Sequence, residues 1–248
     1  MMETSRPILH FLHAGDGGLV VELGKDIDAA TNAAVMALAE HLGKACLDGV
    51  LEIIPTYRSL LVQFDPLRLE KAALVQAVNA AWAATETADR HASLWHVPVC
   101  YGGEHGADLS VVAQANGLDE AEVIARHSAP SYRIYMIGFA PGFAYLGGLD
   151  RSLHTSRRVE PRLKTPPRSV SIGGMQTAIS PPIEIPNGGK MLGETAVRPY
   201  DPARKSQSFL FGPGDYVRFH PVNPHEYARQ LKAAEGGALV AEREDYRG

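Results

Sequence analysis

The alternating run Tyr132-Arg133-Ile134-Tyr135-Met136-Ile137 passes directly into Gly138-Phe139-Ala140-Pro141-Gly142-Phe143-Ala144-Tyr145-Leu146-Gly147-Gly148. No other junction constrains the fold of this chain as much. The first six residues suit a strand. Glycine then opens backbone conformations closed to other residues and lets another group approach the main chain, and Pro141 fixes its own φ. Phe139, Phe143 and Tyr145 place large apolar rings between these breaks. A plain connector needs no such rings. The stretch therefore reads as a shaped wall of a pocket or interface, the alternative being a Gly-rich barrel corner whose rings are core.

The residues after 131 continue in this style. Short candidate strands (132–137, 169–173, 176–180, 191–195 and 215–219) are separated by Pro166-Pro167, Pro181-Pro182, Asn187-Gly188-Gly189 and Gly212-Pro213-Gly214-Asp215. Many short strands with Gly and Pro punctuation indicate a β-barrel or sandwich. The first part reads differently, as β-α-β-β-α-β over residues 1–97. Leu19–Leu23, Val50–Ile54, Ser59–Phe64 and Leu94–Val99 supply the strands. One helix follows Asp26 and ends before Gly43, and another opens at Asp65-Pro66. That order is the split βαβ of a ferredoxin-like sandwich. A polar stretch, residues 83–92, is the expected hinge, so the domains are expected at 1–97 and 98–248. Two short helices lead the second domain, the first beginning at Asp108 and ending at Gly117. The second has a capping box, Asp119 with Glu122.

Composition excludes several functions. With 45% hydrophobic residues the 248-residue chain can bury a core, and a net charge of -4 argues against a nucleic-acid binder that works by bulk basicity. No apolar run is long enough to span a bilayer, and residues 1–7 lack the apolar core of a secretion signal. A cytoplasmic protein is the expectation. Cys46 and Cys100 form no Cys-x-x-Cys pair, and no His-Glu-x-x-His occurs, so no metal is expected on this chain.

Three further segments are candidates for chemistry. Arg157, Arg158, Arg162, Lys164 and Arg168 lie in one stretch opposed there only by Glu160. Guanidinium forks suit carboxylates and phosphates, although a solvated loop also explains a charge run. Ser171-Ile172-Gly173-Gly174-Met175-Gln176-Thr177 ends a strand in paired glycines followed by an amide and a hydroxyl, which can line a polar pocket or form an ordinary hairpin. Asn187-Gly188-Gly189-Lys190 is a hairpin signal that can also rim a site. His127 lies just before the strand leading to the Gly/aromatic stretch and can enter the same pocket or stay structural. Gly142 joins His127, Gly188 and Gly189 as an expected rim or interface position. No nucleophile or base can be assigned.

Together these segments resemble the allophanate hydrolase subunit 1 family, whose members are also called the B-type subunits of 5-oxoprolinase and which includes Kip-type inhibitors of a sensor kinase. The resemblance runs over nearly all the chain. It rests on Gly15-Asp16, Pro55-Thr56-Tyr57-Arg58-Ser59-Leu60-Leu61-Val62, Asp65-Pro66, Val97–Glu104, His127–Pro130, Gly138–Gly148 and Ser169–Thr177. It implies an N-terminal α/β domain and a C-terminal cyclophilin-like β-barrel. It also implies a hydrolase subunit active only in a complex, with a partner of the allophanate hydrolase subunit 2 type, the C-type protein of 5-oxoprolinase. With a third subunit the assembly would use ATP to open 5-oxoproline to glutamate. On that reading Arg158 and Arg162 would hold anionic groups, Gln176 and Thr177 would hydrogen-bond the amide, and Phe139, Phe143 and Tyr145 would form the wall. The alternatives are inhibition of a sensor histidine kinase, or half of a carboxyltransferase in a urea pathway. In the latter case biotin would arrive on another chain, since no Ala-Met-Lys-Met occurs here. The chain departs from the family pattern at Ser171 and Ala178 (usually glycine), Ser180 (tyrosine), Lys190 (an aromatic) and Glu194 (arginine). These departures are expected to cluster on the ligand rim.

Overall fold

Leu19 and Val21 alternate with more exposed neighbours, and that alternation sets the first layer. In the computed structural model, which describes residues 8–85 and 92–246, β1 (His10–His13) and β2 (Gly18–Glu22) form a hairpin. They are followed by α1 (Ala29–Lys44), β3 (Val50–Pro55), β4 (Ser59–Phe64) and α2 (Lys71–Ala84). The sheet order is β1-β2-β4-β3, antiparallel throughout. Leu19, Val21, Leu60, Val62 and Phe64 pack in one core with Val35, Leu38, Leu42, Leu74 and Val78 from the helices.

Local starts differ from the sequence reading. The cap of α1 is Asp28, whose carboxylate accepts from Thr31 N at 2.8 Å, and Gly43 lies inside the last turn. Asp65-Pro66 makes a turn, with Leu67 N donating to Asp65 Oδ1 at 2.9 Å, and α2 starts only at Lys71. A proline after a capping residue serves a turn as well as it serves a helix.

The second unit begins with β5 (Ala92–Tyr101), α3 (Leu109–Asn116), α4 (Glu120–Ser128), β6 (Tyr132–Ile137) and β7 (Ala144–Gly147). Then come β8 (Arg162–Thr165), β9 (Ser169–Gly173), β10 (Gln176–Ile179), β11 (Ile185–Asn187) and β12 (Lys190–Glu194). The chain ends with β13 (Tyr216–Val222), α5 (Pro224–Glu235) and β14 (Glu242–Tyr246). Seven strands close a barrel in the order β12-β9-β10-β7-β6-β13-β5, where β5 returns to β12. β14 adds to β5 outside that ring, and β8 with β11 forms a separate two-stranded ribbon. A mixed α/β unit followed by a closed barrel is the expected fold class.

Two expectations are corrected. Leu94–Val99 does not close the N-terminal sandwich: it is the middle of β5 and pairs in parallel with β13 from Leu94 to Cys100. The strand is buried on both faces, at Leu94, Trp95, Val97 and Val99, and its edges are paired within the second unit, one by β13 and the other by β14 and β12. In the N-terminal sheet β1 takes the edge beside β2. The two compact units are therefore residues 1–90 and 91–248, and the divide falls before β5 rather than after residue 97. Most of the expected hinge, residues 86–91, lies outside the described residues.

Candidate functional site

The barrel core takes every second residue of its strands: Ala144, Leu146, Val170, Ile172, Ile179, Val217 and Phe219. The alternate residues face outward. Tyr145 lies opposite Ala178, and Ala178 opposite Ser171, so the three make a row across β7, β10 and β9 on the outer wall. Gln176 and Gly173 pair one step further along that face. The stretch between β11 and β12 crosses above. Gly189 stands so close that a Cβ there would lie 2.7 Å from Ser171 Oγ. The space left between wall and crossing segment is a cleft of about 320 Å³. Phe139, Phe143 and Tyr145 form one side; Arg157, Pro161, Asn187, Gly188 and Gly189 form the other.

The rings are ordered. Phe143 packs 4.7 Å from Tyr145 between centroids and 5.7 Å edge-on from Phe139. Phe139 is 65% exposed and sits at φ 68, in a γ-turn closed by Ala140 N donating to Gly138 O at 2.8 Å. A non-glycine residue there carries strain. Burial pushes the Tyr145 phenol up, opposed by the nearby positive charge of Arg157.

Phe139, Phe143, Tyr145, Gln176, Thr177, Gly188 and Gly189 are thus brought together as the sequence predicts. Thr177 contributes no free hydroxyl, however: Oγ1 donates to Ser171 O at 3.1 Å and accepts from His127 Nε2 at 2.9 Å. His127 does not enter the cleft. It is wholly buried, stacked 4.8 Å from Phe219, and its Nδ1 accepts from Tyr101 O–H at 2.7 Å. Burial lowers its pKa to about 3, so it is a neutral imidazole in the barrel core. The Tyr101 phenol is raised well above its ordinary value, chiefly by burial and secondarily by Tyr132.

Arg158 and Arg162 also lie elsewhere. Arg162 grips Asp108 with Nη1 at 2.6 Å from Oδ2 and Nη2 at 2.9 Å from Oδ1, and Arg158 Nη1 stands 3.3 Å from Oδ1. Asp108 Oδ2 also accepts from Met191 N at 2.8 Å. Burial alone would raise this carboxyl; Arg162, the Met191 amide and the two positive charges outweigh it and hold it below the ordinary carboxylate value. Asp108 reads in sequence as a helix cap, but its side chain makes no cap hydrogen bond to α3. It ties the stretch carrying the two arginines to the barrel instead. Gly142 is also outside the cleft, at φ 86 against Tyr200, where a Cβ would lie 2.7 Å from Tyr200 Cβ. Asn187-Gly188 joins no hairpin, because β11 pairs with β8 and β12 with β9.

The departures from the family pattern divide in the same way. Ser171 and Ala178 sit side by side in the cleft floor. Glu194 is turned away from it, accepting from Tyr227 O–H at 3.0 Å and lying 3.1 Å from His105 Nδ1. Its charge has local partners and is not aimed at a ligand. Ser180 is buried beside Ser169, whose carbonyl its amide meets at 2.9 Å. Lys190 does not line the cleft. Arg157 and Asn187 complete the lining beyond the residues that the sequence predicts for it. The basic run and the Asn-Gly pair flagged both segments, but neither signal tells which side chain of the run reaches the cleft.

The sequence matches the family described as "Carboxyltransferase domain, subdomain C and D" over residues 9–210. It is similar to the B-type subunit of the Escherichia coli 5-oxoprolinase, 38% identical over 84% of this chain and 93% of that protein. Among solved structures it is similar to TTHA0988, at 35% identity and a TM-score of 0.74, over 83% of this chain. It spans only 40% of the length of that structure. The Kluyveromyces lactis urea carboxylase shares the fold, with a TM-score of 0.82 at 19% identity, over 97% of this chain and 24% of that one. Outward-facing rings and amides on a closed barrel, carried by a sequence this close to a 5-oxoprolinase protein of the B type, place the chain in the carboxyltransferase subdomain C and D family, in the branch that holds allophanate hydrolase subunit 1 and the B-type subunits of 5-oxoprolinase.

Proposed function

We propose that this chain is the B-type subunit of an ATP-dependent 5-oxoprolinase-type complex that opens a cyclic amide, and that the outer-wall cleft is where it holds that amide. Its partners on this reading are a subunit 2 (C-type) protein and a third subunit. The observation that carries the proposal is the chemistry of the lining. The cleft offers aromatic walls, the amides of Gln176 and Asn187 and a guanidinium, but no carboxylate, imidazole or thiol among the described residues. Such a set binds and orients an amide without supplying a general base. The reacting groups then come from another subunit. On this reading ATP would supply a phosphoryl group to the amide oxygen, opening the carbonyl carbon to water while the ring C–N bond breaks to the free amine and phosphate is released; this chain's part is to keep the ring flat against Phe143 and Tyr145.

The test is reconstitution. Co-expression with the partner subunits should give ADP release stimulated by 5-oxoproline, and absence of stimulation with all subunits present refutes the reading. The family match over residues 9–210 favours a second reading, carboxyl transfer from a biotinylated carrier. Incorporation of labelled bicarbonate into urea, dependent on that carrier, would select it.

A further inference from the structure

The five basic residues between 157 and 168 do not share one fate. Arg158 and Arg162 are held by Asp108, Lys164 Nζ lies 3.5 Å from Glu184, and Arg168 neighbours the Tyr227 phenol. Arg157 alone of the five lines the cleft, and it makes no hydrogen bond or ion pair among the described residues. Its stem lies across Gly173. A Cβ at that glycine would stand 2.9 Å from Arg157 Cγ and 3.3 Å from Nε. The missing side chain is thus a trough for the arginine, and Gln176 of β10 is the register partner of that glycine on the same outer face. The Gln176 amide is likewise without a partner among the described residues. A planar cation and a planar amide therefore face one narrow cleft with aromatic rings beside them.

Resting on the function proposed above, we propose that Arg157 is the specificity-determining residue: its fork takes the carboxylate of a small acid whose amide meets Gln176. A carboxylate matches the fork in two parallel hydrogen bonds. Neutral amides of the same ring lack that group and leave Arg157 solvated. Gly173 makes the arrangement possible by leaving room for the stem.

The test measures equilibrium binding to the full chain assembled with its partner subunits. The probes are 5-oxoproline, the same lactam lacking the carboxylate (2-pyrrolidinone), and inorganic phosphate. The wild type should bind 5-oxoproline about tenfold to a hundredfold more tightly than the neutral lactam, the range expected for a hydrogen-bonded charge. Arg157→Met should bring the two lactams within about twofold by weakening only the acid. Gly173→Ala should act in the same direction by displacing the arginine stem. Arg157→Met disturbs no partner, so it keeps the test valid if Gly173→Ala fails to fold. If Arg157→Met keeps the preference for the acid, the role of Arg157 is overturned while the cleft reading stands. If the wild-type complex binds both lactams equally, the role of Arg157 is overturned while the cleft reading stands; if it binds neither, both proposals fall. Phosphate binding more tightly than 5-oxoproline in an Arg157-dependent way would overturn the carboxylate assignment.

Discussion

Replacing Asp108 with asparagine removes the charge on which the stretch from Arg157 to Lys164 is anchored. The carboxylate side chain is 3% exposed and receives two bonds from Arg162, one from Arg158 and one from the Met191 amide. Removing one partner of a buried ion pair costs about 3–5 kcal/mol. Arg162 and Arg158 keep 23% and 33% of their side-chain surface in water, so part of their charge is rehydrated and about 2–3 kcal/mol is the fitting figure. For a chain of this size that is a fall in Tm of about 4–12 °C. Thermal unfolding followed by circular dichroism reads it directly. The pH dependence gives a second check. The folded carboxyl lies below its ordinary value of 3.8, so its stabilisation is complete above that value and is lost as pH falls through the folded one. Asp108→Asn should therefore differ from wild type at neutral pH and converge with it in strong acid. A variant melting within about 1 °C of wild type at pH 7 would show that the guanidinium pair is solvated and carries no stability.

Three other outcomes follow from the same geometry. His127→Phe keeps the stack on Phe219 but leaves Tyr101 O–H without its acceptor, costing about 2 kcal/mol in urea unfolding. Because burial lowers the His127 pKa from 6.5 to about 3, the native state resists a proton that the unfolded chain accepts. Wild-type stability should fall as pH drops from 6.5 toward 3, by at most about 1.4 kcal/mol per pH unit from this group, and His127→Phe should remove that slope. Phe139→Gly relieves the φ of 68 and should raise stability by about 1 kcal/mol while weakening ligand binding; a lower Tm would show that the ring is a packing element. Gly142→Ala at φ 86, against Tyr200, should cost about 1–3 kcal/mol in the same unfolding assay.

Local signals served well where a residue acts through its near neighbours. The capping box of Asp119 with Glu122 is present, and Gly117 ends α3 in the left-handed region. The apolar positions Leu74, Val78 and Ala81 form the inner stripe of α2. Phe139, Phe143 and Tyr145 do line a cleft with Gln176 and Gly189. Polar and charged side chains were less legible, because their partners are remote in sequence. Asp108 reads as a cap and meets arginines 50 and 54 residues away. Glu194 reads as a charge facing a ligand and meets Tyr227, 33 residues on.

The strand at 94–99 shows the same division. Its apolar run announces a buried strand, but the parallel pairing with β13 spans more than a hundred residues, and no local pattern encodes which sheet a doubly buried strand joins. The amino-acid order by itself determined the two structural styles, the aromatic wall and the family, because periodicity, glycine placement and long spaced motifs are properties of the chain. Only the tertiary structure decided that the cleft lies outside the barrel, and that Arg157 rather than Arg158 or Arg162 faces it. Strand closure fixes which alternate side chains point outward, and Asp108 is brought by folding to two of the three arginines and not to the third.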